Sequence, residues 1–233
     1  MVIHQRECYS ILEWPCGVSR ARTFSDAEIP RYAMDEIPSR IALFNWQTAQ
    51  ECTARLVTLT RDMAATKIDG SWWRIRARAG ANRDEEGDHH WVWRKLVGEH
   101  RNNLAWEFVA AQTEDEEIQG AIGYRIDFTS YLVPELTTVY VDRIAVAPRN
   151  RPWLVESPVY GGVGRALLLR AVCHSYTLGL GGRVNLVSLP TDRTRQFYEK
   201  RGFTCAGEDD EGLIEYELSD QAAQRWLQEE GHL

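Results

Sequence analysis

An α/β fold on a mixed sheet is predicted by three runs in the second half of the 233-residue chain. The run Thr138-Val139-Tyr140-Val141-Asp142-Arg143-Ile144-Ala145-Val146-Ala147-Pro148 is rich in β-branched residues and stops at proline, which reads as a strand. Tyr160-Gly161-Gly162-Val163-Gly164-Arg165 then opens onto the helical run Ala166-Leu167-Leu168-Leu169-Arg170-Ala171-Val172. A second strand, Arg183-Val184-Asn185-Leu186-Val187-Ser188-Leu189, closes at Pro190, and Thr191 caps a helix that ends at Gly202. Strand, glycine turn, helix, strand and helix follow one another in that order.

Taken in chain order, the first half is harder to read. Residues 8–14 suggest a strand, and Ser25-Asp26-Ala27-Glu28 suggests a helix start with its capping box. Trp46, Ala49, Cys52, Leu56, Leu59 and Met63 recur at helical spacing and predict a helix over 46–65. A turn is expected at 67–71, a short strand with a basic face at 72–78, and a polar loop at 80–87. Asp88 is expected to cap a helix over 89–98. Residues 106–112 and 120–128 predict an antiparallel hairpin across the acidic turn Thr113-Glu114-Asp115-Glu116-Glu117. Residues 213–218 give a last strand and 221–229 a terminal helix. The organisation expected is an extension over 1–103, packed on a core over 104–233.

The turn is the most informative element. Gly161, Gly162 and Gly164 let backbone approach a ligand without intervening side chains, and the following helix offers unpaired N–H groups at its positive end. A diphosphate suits such a cradle. The alternative is that the glycines serve only a tight reversal or close packing.

The run from Ile144-Ala145-Val146-Ala147-Pro148 through Gly162-Val163-Gly164 to Phe197-Tyr198-Glu199-Lys200-Arg201-Gly202-Phe203 resembles the GNAT acetyltransferase superfamily, over roughly 106–218. The resemblance implies a GNAT acyl-CoA N-acyltransferase fold, here with an enlarged helical N-terminal portion. It implies acetyl-CoA as donor, held between two splayed parallel strands with its pyrophosphate on the glycine turn, and an amine as acceptor. Coenzyme-binding positions carried over are Ile144, Ala145, Val146, Gly161, Gly162, Val163, Gly164 and Arg165. A bulge in the strand equivalent to Ile144-Ala145-Val146 would aim an N–H at the thioester carbonyl. Tyr198 would serve the leaving thiolate as acid, its phenol being protonated at neutral pH. The extension over 1–103 would contribute to the acceptor site.

The departures from the family are specific. Val159 stands where the family's turn carries Arg or Gln, the segment 149–158 intervenes between strand and turn, and Thr191 replaces a common asparagine. Arg149 or Arg151 would supply the absent cation, the alternative being a surface loop stiffened by proline. Strand alternation places Tyr140, Asp142, Ile144 and Val146 on one face, with Asp142 the only carboxylate and hence the candidate base. Asp142 in an ion pair with Arg125 or Arg143 is the competing reading, and attack through water needs no base. Glu107 and Glu135 are fallback candidates. Gly123 marks a point where backbone would approach a bound acyl chain.

Composition narrows the class further. A formal charge of −7 argues against a nucleic-acid groove, and no apolar run is long enough to cross a membrane. Five cysteines, without C-x-x-C spacing or a readable leader, suggest a reducing cytoplasm, and adjacent His89 and His90 do not form an i, i+4 ligand pair, so no metal site is expected. Seven of the nine tryptophans fall at or before Trp106 and either pad a core or floor a site for an aromatic or apolar amine. The acceptor is open between a small molecule and a protein, and a homodimer is an open expectation. Two further readings stand beside the acetyltransferase: a catalytically silent acyl-CoA-binding or interaction module, and acetylation of a macromolecular amine such as a protein lysine or an aminoacyl-tRNA.

Overall fold

The computed structural model describes residues 37–72, 87, 88 and 90–233. The strand expected at 8–14, the helix start at 25–28, and the segments 73–78, 80–86 and 89 lie outside the described residues.

The strands are β1 (Arg40–Asn45), β2 (Gln50–Thr58), β3 (Trp106–Gln112), β4 (Ile118–Thr129), β5 (Thr137–Val146), β6 (Tyr160–Gly161), β7 (Val184–Ser188), β8 (Thr204–Glu208) and β9 (Ile214–Leu218). They form one mixed sheet in the order β6-β1-β2-β3-β4-β5-β7-β9-β8. Among the described strands only β5 and β7 run parallel. Alternation along each strand sends side chains to two cores. One face packs α1 (Arg61–Met63), a π-helical turn over Ala64–Asp69, and α2 (Trp93–His100), burying Leu59, Ile68, Trp93, Leu96, Phe108, Ala121 and Ala145. The opposite face packs α3 (Val163–Thr177), α4 (Asp192–Glu199) and α5 (Asp220–Glu229), burying Val109, Ile122, Val141, Leu167, Leu168, Tyr198 and Trp226.

The mixed α/β fold, the 106–128 hairpin and the strand-turn-helix-strand unit are as expected from sequence. Of the helix expected over 46–65 only residues 61–65 are helical. Residues 40–58 fold instead as a β1–β2 hairpin, in register from Arg40↔Arg55 to Asn45↔Gln50, and β2 continues the sheet onto β3. Cys52 and Leu56 fit a helical period and, with Ala54, a period of two, and pairing on both sides of β2 selects the strand. The turn expected at 67–71 is helical through Trp72.

The segment between β5 and β6 is held by a buried polar network. Gln119, fully buried, is the extra residue of a bulge between β3 and β4. Its side chain donates to Thr113 Oγ1 at 2.7 Å and accepts from Asn150 Nδ2 at 3.0 Å and Arg149 Nε at 3.2 Å. Arg149 also pairs with Glu117 at 2.9 Å, and Asn150 Oδ1 accepts from the Tyr160 N–H at 3.0 Å. Arg151, 5% exposed, donates to both oxygens of Asp88 at 3.0 and 2.6 Å and to the Val146 carbonyl at 2.8 Å. Asp88 is therefore the partner of Arg151 and not the cap of the next helix, which begins at Trp93.

Candidate active site

Two features of the backbone meet at the end of β5. The first is a bulge. Val141 pairs with Tyr124 and Arg143 with Gly123, which leaves Asp142 as the extra residue. The extra residue breaks the alternation. Val139, Val141, Ile144 and Val146 face the core under α3, whereas Ala145 faces the core under α2 and Arg143 lies over the Trp91 ring at 5.2 Å. The expectation that Asp142 shares a face with Ile144 and Val146 is thus corrected. The bulge also sits earlier than expected: Ile144, Ala145 and Val146 are in regular register with Ile122, Ala121 and Gly120.

The bulge is where the parallel strands part. Ladder pairing between β5 and β7 covers Val139↔Val184, Tyr140↔Asn185 and Val141↔Leu186 and stops there. From Asp142 to Val146 the β7-facing edge of β5 carries no ladder bond.

The second feature is the start of α3. Gly162 precedes it with φ of 84°, in the left-handed region that favours glycine. The first helical bond runs from Ala166 N–H to the Gly162 carbonyl at 2.9 Å, and among the described residues no side chain caps the N–H groups of Val163, Gly164 and Arg165 ahead of it. The other described helices of eight residues or more are capped: Asp69 accepts from Trp93 and Arg94 N–H, both at 3.0 Å, Thr191 from Thr194 N–H at 3.3 Å, and Ser219 from Ala222 N–H at 3.3 Å. A Cβ on Gly164 would stand 3.3 Å from Val146 Cγ2 and 3.5 Å from the Phe197 ring, so the helix start lies against both the end of β5 and α4. The turn itself is fixed by β1, since Tyr160 and Gly161 pair with Asn45 and Phe44, and Trp46 N–H donates to the Val159 carbonyl at 2.9 Å.

Comparison with solved structures decides the fold. The GNAT domain of S. lividans PAT aligns with a TM-score of 0.53 at 16% identity, covering 78% of this chain and 99% of that one. A GNAT-family acetyltransferase from Listeria monocytogenes aligns with a TM-score of 0.50 at 16% identity, covering 71% of this chain and 94% of that one. The fold is that of the GNAT acetyltransferases. No protein-family model and no curated protein matches the chain.

In this GNAT fold the two candidate catalytic side chains occupy opposite cores. Tyr198 packs among Phe197, Phe203 and Tyr216 at centroid distances of 5.0, 5.6 and 5.5 Å. Burial raises its pKa, so the phenol keeps its proton at neutral pH. Asp142 is half-buried on the α2 side. Burial raises its pKa, opposed by Arg143 and then by His100. Arg143 Nε lies 3.2 Å from Asp142 Oδ2 but off hydrogen-bond geometry, leaving that oxygen buried without a hydrogen-bond donor. Tyr140, stacked on Phe128 at 4.4 Å, is pushed up to about 12 by burial and then by Asp142.

Other expected residues are committed elsewhere. Arg149 and Arg151 are held by Glu117 and Asp88, so neither is a free cation for a phosphate. Arg165 pairs with Glu230, which also accepts from Trp226 Nε1 at 2.9 Å. Arg165 lines a charged cleft of about 590 Å³ with Lys200, Arg201, Arg225 and Glu199. Gly123 has a packing reason: a Cβ there would lie 2.9 Å from the Phe108 ring. His100, which sequence reading passed over, stacks on Trp106 at 4.1 Å and joins the charges around Asp142. Its only sequence signal is its place near the end of a helix, and the strand it meets is distant in chain order.

Proposed function

We propose that this chain is an N-acetyltransferase that binds acetyl-CoA and passes its acetyl group to an amine by direct attack in a ternary complex. The observation that carries this reading is the uncapped glycine start of α3 set against the unpaired edge of β5. The N–H groups at Gly162, Val163, Gly164 and Arg165 would hold the pyrophosphate, where a helix end and free donors favour negative charge. The open edge over Ile144, Ala145 and Val146 would take the amides of the coenzyme's extended arm, in the manner of strand addition. Acetyl-CoA supplies the activated thioester.

The chemistry asks little more of the side chains. As the amine nitrogen bonds to the thioester carbon, a backbone N–H at the Asp142 bulge would stabilise the oxyanion. The nitrogen would give its proton to Asp142, directly or through water. Raised by burial, Asp142 is a stronger base than an exposed carboxylate. The carbon–sulfur bond breaks, and Tyr198 would donate its proton to the thiolate. The acceptor would approach over α2, where His100, Trp106, Trp91 and Arg143 gather, and the aromatic character of that face fits an apolar or aromatic amine. A cytoplasmic setting belongs to the same reading: Cys52, Cys173 and Cys205 are free thiols.

One observation favours a second reading, a coenzyme-binding module without turnover. Val159 replaces the family's Arg or Gln, and the nearby Arg149, Arg151 and Arg165 are all paired within the protein. Calorimetric titration with acetyl-CoA, CoA and adenosine diphosphate, followed by an amine screen, separates the two. Micromolar binding, about −8 kcal/mol, together with thiol release in the presence of an amine supports the enzyme. Binding without thiol release from any amine supports the module. Absence of binding by all three ligands overturns both.

A further inference from the structure

A second cavity, of about 220 Å³, opens between α3, the β1–β2 hairpin and the C-terminal residues. Its charged lining is uneven: Arg40, Arg165 and Arg170 face a single carboxylate, Glu230, with His232 at the rim. Glu230 is already taken by Arg165 and by Trp226 Nε1. Neither Arg40 nor Arg170 forms an ion pair among the described residues. Arg170 Nη1 is buried with no hydrogen-bond acceptor. Apart from Glu230, the groups around Arg170 are neutral: Tyr124, which interacts with Arg170 and whose hydroxyl meets His174 Nδ1 at 3.0 Å, Cys173, and His174 itself, pushed down to about 4 by burial and then by Arg170. The rest of the lining includes Leu56 and Leu169.

A guanidinium nitrogen held away from water needs a partner, and among the described residues the one carboxylate lining the cavity, Glu230, is already paired with Arg165. Apolar walls strengthen any charge-assisted bond formed inside, and the arginine fork matches the paired oxygens of a carboxylate or phosphate. We propose that this cavity is a ligand site for a compact oxyanion, a small carboxylate or inorganic phosphate, bound by Arg40 and Arg170. The site lies at the β1–β2 edge, across β3 and β4 from the splay between β5 and β7, and it does not rest on the acetyltransferase reading.

The test is titration of the full chain with inorganic phosphate and, separately, with succinate, at constant ionic strength in chloride, read by calorimetry and by the melting temperature. Saturable binding of either anion is expected, and the arm that binds identifies the chemistry. The dissociation constant should rise about tenfold or more in Arg40→Gln and in Arg170→Met, as expected for loss of a charged hydrogen-bond donor. Arg40 is exposed at the start of β1, so Arg40→Gln reports on binding even where Arg170→Met folds poorly. Gly162→Glu, which blocks the helix start, should leave the anion affinity unchanged. Absence of saturable binding up to about 10 mM overturns the proposal. So does anion binding that Gly162→Glu abolishes while Arg40→Gln leaves it intact, because the anion would then sit at the start of α3.

Discussion

The segment over 147–159 and the turn over 160–165 adjoin in the chain, yet their polar groups are committed in opposite ways. In the first, Arg149, Asn150 and Arg151 each reach into the protein, to Glu117, Gln119 and Asp88. In the second, the N–H groups of Val163, Gly164 and Arg165 have no side-chain cap among the described residues. The contrast separates frame from site. Paired charges, buried for Arg151 and Asp88, hold the end of β5 and the start of β6 in place, and the uncapped donors at the helix start are the ones proposed above for the coenzyme. Substitutions in the two segments should therefore divide between stability and binding.

The largest effect is expected on the frame. Arg151→Met leaves the Asp88 carboxylate mostly buried without its partner and should lower stability by about 3 kcal/mol, measured by urea denaturation. Coenzyme affinity of the folded protein should stay within about threefold. Loss of affinity at wild-type stability would break the distinction. Gly162→Glu comes next and should do the reverse. A Cβ at Gly162 meets nothing within 4 Å, so the penalty to folding is about 1–2 kcal/mol for the left-handed backbone. Its carboxylate would weaken acetyl-CoA binding about 100-fold or more, about 2.7 kcal/mol, by calorimetry.

Two smaller effects sharpen the chemistry of the site. Tyr198→Phe should reduce turnover about 100-fold with coenzyme affinity unchanged, in an assay of thiol release. Unchanged turnover would reduce Tyr198 to a core aromatic. Asp142→Asn is expected to have the smallest effect on stability, and its sign is defined. Because the folded-state pKa lies above the ordinary carboxylate value, the native state binds more protons than the unfolded state between the two. Stability contributed by Asp142 therefore falls as pH rises through that window. Asp142→Asn should flatten this slope and gain on wild type toward neutral pH, in denaturation series across pH. The acidic limb of its pH-rate profile should flatten too; an unaltered limb would make water the base.

Legibility varied with the range of the interactions. The strand at β5, the glycine turn, the long helix α3 and the caps at Thr191 and Ser219 are set by residues within a few positions of one another, and sequence reading found the first four of these. The β1–β2 hairpin was misread because Cys52 and Leu56 fit a helix and a strand equally, and only pairing with β3 separates the two. Asp88 has the composition of a cap and becomes one half of a buried ion pair because a partner distant in sequence, Arg151, is brought beside it.

Sequence alone determined the α/β class, the order of β3, β4, β5, α3, β7, α4, β9 and α5, and a glycine-started helix, because each depends on local backbone preference and short-range periodicity. Tertiary structure decided the rest. One unpaired residue in β5 turned Asp142 and Arg143 toward the α2 face and parted β5 from β7, and a bulge of that kind exists only in the register between strands. Which arginines are paired was settled the same way, by carboxylates arriving from elsewhere in the chain: Arg149, Arg151 and Arg165 found carboxylate partners, and among the described residues Arg40 and Arg170 form no ion pair.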